Sequence, residues 1–161
     1  RSQAATLGLT NQVEFLGAIA RKDLGAVYCR SDIVCVPSLS EPFGLVALEA
    51  LASGRPVVAS RVGGLPYIVD DGETGALVPP GSSEDLANAI RSLGADRGAL
   101  RAMERKAMET ARTRFGWRKI GEELRDMLDA AMGRPDGHSE PLTSSRTAAP
   151  RRVEHLESPL T

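Results

Sequence analysis

The sequence predicts an α/β protein: a partial, Rossmann-like parallel sheet followed by helices and a disordered tail. Three observations predict it. Short apolar runs of strand length recur through the first half, each separated from the next by a stretch with helical spacing. Glycines (Gly17, Gly54, Gly63, Gly64, Gly72, Gly75) fall at the joints, where the chain must turn tightly. After Pro79 the strand-like runs stop, and apolar residues return only at helical intervals.

The elements follow in order. Arg1 to Leu9 reads as the tail of a helix already under way, so the chain is expected to be a fragment that begins inside a domain. Val13 to Leu16 reads as a strand, and Lys22 to Arg30 as a helix with Leu24, Val27 and Tyr28 on one face. Ile33 to Val36 is an apolar run with the signature of a buried strand. Pro37-Ser38-Leu39-Ser40 interrupts regular structure, and Leu45 to Ser53 reads as a helix stopped by Gly54. Val57 to Ser60 is a strand, Pro66 to Val69 a short helical turn, and Ala76 to Val78 a last short strand.

Ser82 with Asp85 three residues later is a capping-box pattern, with Leu86, Ala89, Ile90 and Leu93 as the apolar stripe behind it. A second helix spans Arg97 to Thr113. A third spans Trp117 to Met132 and is stopped by Gly133 and Pro135. It carries Trp117, Ile120, Leu124, Met127, Leu128 and Ala131 on one face. The stretch 134–161 holds four prolines, clusters of Ser and Thr and both histidines, His138 and His155. So few large apolar residues cannot offset the entropy of ordering, and disorder is expected. The chain therefore divides into a folded part, 1–133, and a tail, 134–161.

Composition narrows the class. Of 161 residues, 42% are hydrophobic and 25% charged, the values of a globular domain. The net charge of −1 gives no argument for a nucleic-acid partner. No apolar run reaches the roughly 20 residues of a membrane span. Cys29 and Cys35 make neither a disulfide framework nor a metal site, and both fit apolar surroundings. The cytoplasm is the expected compartment, with peripheral membrane association open for a parent protein.

The chemistry concentrates in Glu41-Pro-Phe-Gly-Leu-Val-Ala-Leu-Glu49. Glu41 stands in the loop at a strand's carboxyl end, where open α/β sheets hold ligands, and Glu49 stands about one turn into the next helix. The free N–H groups at that helix start, near Gly44 and Leu45, suit a phosphate. Glu49 lies among apolar neighbours, so its carboxylate needs a partner.

These nine residues resemble the Glu-x7-Glu motif of retaining glycosyltransferases with the two-domain GT-B fold, most closely glycosyltransferase family 4. Val13-Glu-Phe-Leu-Gly17, Leu24 through Tyr28, Ser31-Asp32 and Val36-Pro-Ser38 follow the family's order and spacing. Gly54-Arg-Pro-Val-Val-Ala-Ser60, Gly63-Gly64 and Asp71-Gly-Glu-Thr-Gly75 continue it, and the resemblance spans residues 1 to 132. It implies the C-terminal half of a GT-B donor domain, in which the last helix crosses back onto an N-terminal acceptor domain. That acceptor domain is expected to be missing, together with the first strand–helix unit, which brings an Arg/Lys pair to the diphosphate. The isolated fragment is expected to be inactive alone.

The implied reaction moves a hexose from a UDP- or GDP-linked donor to a hydroxyl acceptor with retention, without a metal or other cofactor. Breaking the bond between anomeric carbon and diphosphate develops positive charge on the sugar and negative charge on the phosphate. The site must therefore fix the sugar, meet the phosphate with dipoles and grip the nucleoside. Glu41, the expected catalytic residue, accepts hydrogen bonds from sugar hydroxyls. The N–H groups of Phe43, Gly44 and Leu45 meet sugar and phosphate oxygens, and Glu49 accepts the ribose hydroxyls. By resemblance the turn at Leu16 and Gly17 lies beside the base, with Lys22 and Arg21 in reach.

Plainer readings stand beside each assignment. Glu41 is a solvated loop carboxylate or a helix-start charge favoured by the helix dipole; Glu49 is salt-bridged to Arg55 or Arg61; Arg21 and Lys22 are solvated charges at a helix start; Gly63-Gly64 is loop geometry. Tyr67 replaces an acidic residue common in the family, a change expected to touch packing more than chemistry. The rival function is a non-catalytic nucleotide-sugar-binding or interaction module. A dehydrogenase lacks its Gly-x-Gly-x-x-Gly, and a P-loop nucleotidase its Gly-x4-Gly-Lys-Ser/Thr.

Overall fold

The computed structural model describes residues 2–132. The tail expected to be disordered, 134–161, lies outside the described residues. The elements run α1 (Ser2–Thr6), α2 (Arg21–Arg30), β1 (Val34–Val36), α3 (Leu45–Ala52), β2 (Val57–Ser60), α4 (Leu65–Ile68), β3 (Gly75–Val78), α5 (Ser83–Ala95), α6 (Arg97–Phe115) and α7 (Trp117–Ala131). Residues up to Leu124 form one compact unit, and the last turns of α7 fall in a second.

The three strands pair in parallel in the order β1-β2-β3. Their register sets Val36 beside Ala59, and Ser60 beside Val78. Because strand side chains alternate, the register sorts them into two faces. Val34, Val36, Val57, Ala59 and Leu77 join the core cluster with Ala47, Ala50 and Leu51 of α3, Leu65 and Ile68 of α4, and Ala107 and Ala111 of α6. Val58, Ser60 and Val78 take the opposite face, where Ser60 and Val78 line a small cavity with Ser82 and Leu86 at the start of α5. Helix α3 is apolar almost all round because it is wedged among the sheet, α4 and α6, and small side chains at its α6 contact let the helices approach closely.

The helix starts follow local chemistry. The Asp85 N–H donates to Ser82 Oγ at 3.2 Å, capping α5. Asp96 caps α6 by accepting from the N–H groups of Gly98 and Ala99 at 2.8 and 3.1 Å. Along α6, Leu100, Ala107, Thr110 and Ala111 are buried at helical spacing. Arg114, in its last turn, donates to both oxygens of Asp70 at 2.8 and 2.9 Å and to the Tyr67 carbonyl at 2.6 Å. Its guanidinium stacks over Tyr67 and Phe115, which meet edge to face at 5.7 Å. Tyr67 thus serves as a packing surface that ties α4 to α6.

Two expectations fail. Val13 to Leu16 is not a strand, and Val13, Phe15 and Leu16 are exposed. A short apolar run marks a segment that could be a strand, but a strand exists only where a regular ladder forms, and the sheet of the described residues runs β1-β2-β3 without this segment. Cys29 and Cys35, expected in apolar surroundings, are both exposed. Cys35 lies between Val34 and Val36 and so turns to the opposite face, on edge strand β1, whereas α5 packs against β2 and β3. Partial burial still raises its thiol pKa above the ordinary value.

Two glycines are demanded by packing. A Cβ at Gly63 would lie 1.7 Å from the Glu41 carbonyl oxygen, and one at Gly64 would lie 2.3 Å from that of Phe43. The backbone of the Glu41–Phe43 loop runs directly against this turn, and the Gly64 N–H donates to the Glu41 carbonyl at 3.0 Å. Gly64→Ala is therefore expected to destabilise the fold by about 1–3 kcal/mol, the usual cost of overpacking. Gly25, inside α2, has nothing within 4 Å of the position its Cβ would take. Gly25→Ala is expected to stabilise by about 0.5–1 kcal/mol through helix propensity. Urea unfolding of both variants checks the contrast; equal shifts would refute the packing account.

Candidate functional site

The site is built on the loop from Pro37 to Gly44 and the helix it enters. Gly44 adopts φ 103°, a left-handed conformation, as the residue before α3. A Cβ there would meet Leu65 Cδ2 at 2.9 Å and Ile68 Cδ1 at 3.1 Å, so the loop settles closely onto α4. With Gly63 and Gly64 beneath Glu41 and Phe43, three glycines hold the loop at one height.

That seat leaves the loop's polar groups available. Among the described residues, the N–H groups of Phe43, Gly44 and Leu45 have no protein acceptor, and the Glu41 side chain makes no hydrogen bond or ion pair. Helix starts carry such unmet donors together with the positive end of the dipole. Phe43, Leu45 and Val46 are exposed around them. The surface therefore offers donors for oxygen anions, a loop carboxylate and an apolar rim.

Glu49 lies four residues beyond Leu45, about 6 Å further along the helix axis. It is half-buried, and its Oε2 accepts a hydrogen bond from the Tyr28 hydroxyl at 3.0 Å. The two arginines considered as salt-bridge partners lie elsewhere: Arg55 pairs with Glu104 at 3.4 Å, and Arg61 with Asp71. Glu49 Oε1 accepts from no other described residue and remains able to receive further donors.

By sequence, Tyr28 stands only on the apolar face of its helix. A hydroxyl on such a face must find a partner when buried, and that signal points to a polar contact without naming Glu49. Gly63-Gly64 is likewise more than a loop bend, because another backbone segment presses on it. Leu16 and Gly17 are exposed in the segment before α2, with Gly17 at φ 68°. Lys22 is exposed in the first turn of α2, six residues and about 9 Å along the axis from Tyr28. The structure brings none of the three into hydrogen-bond contact with the Glu41–Glu49 motif among the described residues.

Burial first, then the hydrogen bond to Glu49 and its charge, raises the Tyr28 phenol above its ordinary value of 10.0. The phenol is therefore a permanent donor near neutrality. The folded chain holds this proton more tightly than the unfolded chain, so the contribution to stability is complete below about pH 10 and is lost as pH rises beyond it. Urea unfolding from pH 8 to 11 is expected to show this loss, and Tyr28→Phe to reduce the slope above pH 10; an unchanged slope would refute it.

Comparison with known proteins adds the family. Residues 1–112 match the family described as glycosyl transferases group 1. The D-inositol 3-phosphate glycosyltransferase of Saccharomonospora viridis is 45% identical over 129 residues, covering 80% of this chain and 30% of that protein. Its namesake from Mycobacteroides abscessus is 42% identical over 156 residues, covering 95% of this chain and 34% of that protein. The chain thus spans about a third of the length of these curated relatives. Sucrose-phosphate synthase from Thermosynechococcus elongatus superposes with a TM-score of 0.74 at 37% identity, over 82% of this chain and 33% of that one. Anabaena HepE in complex with UDP superposes with a TM-score of 0.74 at 35% identity, over 80% of this chain and 35% of that one. By its sequence over most of its length, and by a fold shared with GT-B glycosyltransferase structures, the chain belongs to the glycosyl transferases group 1 family.

Proposed function

We propose that this chain contributes the donor-binding site of a retaining hexosyltransferase that uses a nucleotide-diphosphate sugar. The reading is carried by one observation: a loop carboxylate, a set of unmet backbone donors and a half-buried carboxylate with one oxygen available follow one another along a single loop and helix. A sugar, a diphosphate and a ribose follow one another in the same way along the donor.

In this reading Glu41 accepts hydrogen bonds from the donor hexose and is the catalytic residue. The N–H groups of Phe43, Gly44 and Leu45 face the sugar and the phosphate oxygens as the leaving group gains charge, an arrangement of fixed dipoles that costs no reorganisation. Glu49 accepts the ribose hydroxyls. Leu16, Gly17 and Lys22 border the base. Neither glutamate needs to exchange a proton, in contrast with the acid and base of a glycosidase.

The likeness to HepE, solved with UDP and also with UDP-glucose, favours a uridine donor over a guanosine one. The names of the curated relatives make D-inositol 3-phosphate the first acceptor to assay. Trp117, Ile120 and Leu124 form an exposed apolar stripe on α7, suited to an acceptor domain in a longer protein. The folded part, 1–133, is on this view one donor-domain portion, and 134–161 a tail outside it.

Calorimetric titration tests the assignments. Glu49→Gln is expected to weaken UDP by about tenfold, the value of a hydrogen bond to a charged group. Equal affinity for parent and variant would remove the ribose role. Glu41→Ala is expected to weaken UDP-glucose by about tenfold while sparing UDP. A matching loss for both ligands would remove the sugar role.

A further inference from the structure

Tyr28 contributes nothing to the donor contacts just described, yet it holds one of their residues. Its ring belongs to the core cluster and is 8% exposed, and its hydroxyl reaches 21 residues along the sequence to Glu49 Oε2 at 3.0 Å. A glutamate side chain has three rotatable bonds, and a carboxylate free to turn presents its lone pairs in many directions. Anchoring one oxygen on the hydroxyl of an aromatic ring seated in the core removes that freedom and directs the remaining lone pairs along fixed lines.

Which ligand such a carboxylate selects follows from its shape. Two hydroxyls on adjacent ring carbons present two donors side by side, and a carboxylate of fixed plane accepts both. Removing one hydroxyl leaves an acceptor direction unpaired in a half-buried site, which is where discrimination is strongest. Loss of the anchor lets the carboxylate rotate to satisfy a single hydroxyl nearly as well.

We infer that Tyr28 is a positioning residue: its hydroxyl fixes the Glu49 carboxylate so that the site selects the cis-diol of a ribonucleotide over a deoxyribonucleotide. This rests on the reading of Glu49 as the ribose acceptor. A purely structural Tyr28, tying α2 to α3, would affect all nucleotides alike.

The test is calorimetric titration of the full chain with UDP and with 2′-deoxy-UDP, for the parent, Tyr28→Phe, Glu49→Gln and the double variant. The parent is expected to prefer UDP by about tenfold. Tyr28→Phe is expected to weaken UDP by about fivefold or more and the deoxynucleotide by less than about twofold, so the preference collapses. In the Glu49→Gln background Tyr28→Phe is expected to add less than about twofold.

Equal weakening of both nucleotides by Tyr28→Phe, with discrimination lost in Glu49→Gln, overturns the role of Tyr28 alone. No effect of Glu49→Gln on UDP, or no binding of UDP to the parent, overturns the ribose reading and this inference with it. Should Tyr28→Phe not unfold cooperatively, 3,5-difluorotyrosine at position 28 preserves the shape and carries a more acidic phenol. Discrimination must then fall as pH rises and the donor proton leaves; constant discrimination overturns the inference.

Discussion

Everything at the site depends on one backbone-to-backbone contact. The Glu41–Phe43 loop lies against Gly63 and Gly64 at distances that leave no room for a Cβ, and the Gly64 N–H donates to the Glu41 carbonyl. Closest packing in proteins is normally set by side chains, which can rotate or yield. Here two main chains meet, and neither can. The height of the loop above the sheet, the entry angle of α3 through left-handed Gly44, and the direction of the unmet N–H groups all follow from that seat.

The seat is in turn held from behind. Gly63 and Gly64 lead into α4, whose Leu65 and Ile68 are fully buried and sit beneath Gly44. Arg114 draws the end of α6 onto α4 by a two-pronged bond to Asp70, a bond to the Tyr67 carbonyl and stacking on Tyr67 and Phe115. Such a planar fork gives direction as well as attraction. Glu41 is thus positioned mainly by its carbonyl, which leaves the carboxylate unengaged among the described residues. Glu49 is positioned in the opposite way, by its side chain, through Tyr28. Both arrangements leave carboxylate oxygens able to accept further hydrogen bonds.

Polar groups near the core are few, and the partners they have explain the map. Glu49, half-buried in an apolar helix, would be costly without a donor, and a phenol supplies one without bringing a compensating charge. Arg55 finds Glu104 on α6 instead, and Arg61 finds Asp71 beside β3. The arginines are drawn to carboxylates on the elements they face, so neither competes for Glu49. Glu49 thus has a neutral donor as its partner, and the start of α3 keeps its unmet N–H groups.

Most of the element order was legible from residue order alone, because periodicity, caps and stops are local. The strand pattern of Val57 to Ser60, the Ser82 cap and the helix that starts at Arg97 each depend on neighbours within a few residues. The Glu41–Glu49 spacing was visible for the same reason. What local pattern cannot carry is who lies across the gap. Val13 to Leu16 reads as a strand and stands outside the sheet of the described residues; Cys35 is apolar in character and faces away from the core. The partner of Glu49 is 21 residues away on another helix, and the need for glycine at 63 and 64 comes from a loop some twenty residues earlier. Burial, ladder pairing and close approach are properties of pairs brought together by folding, and only the packed chain decides them.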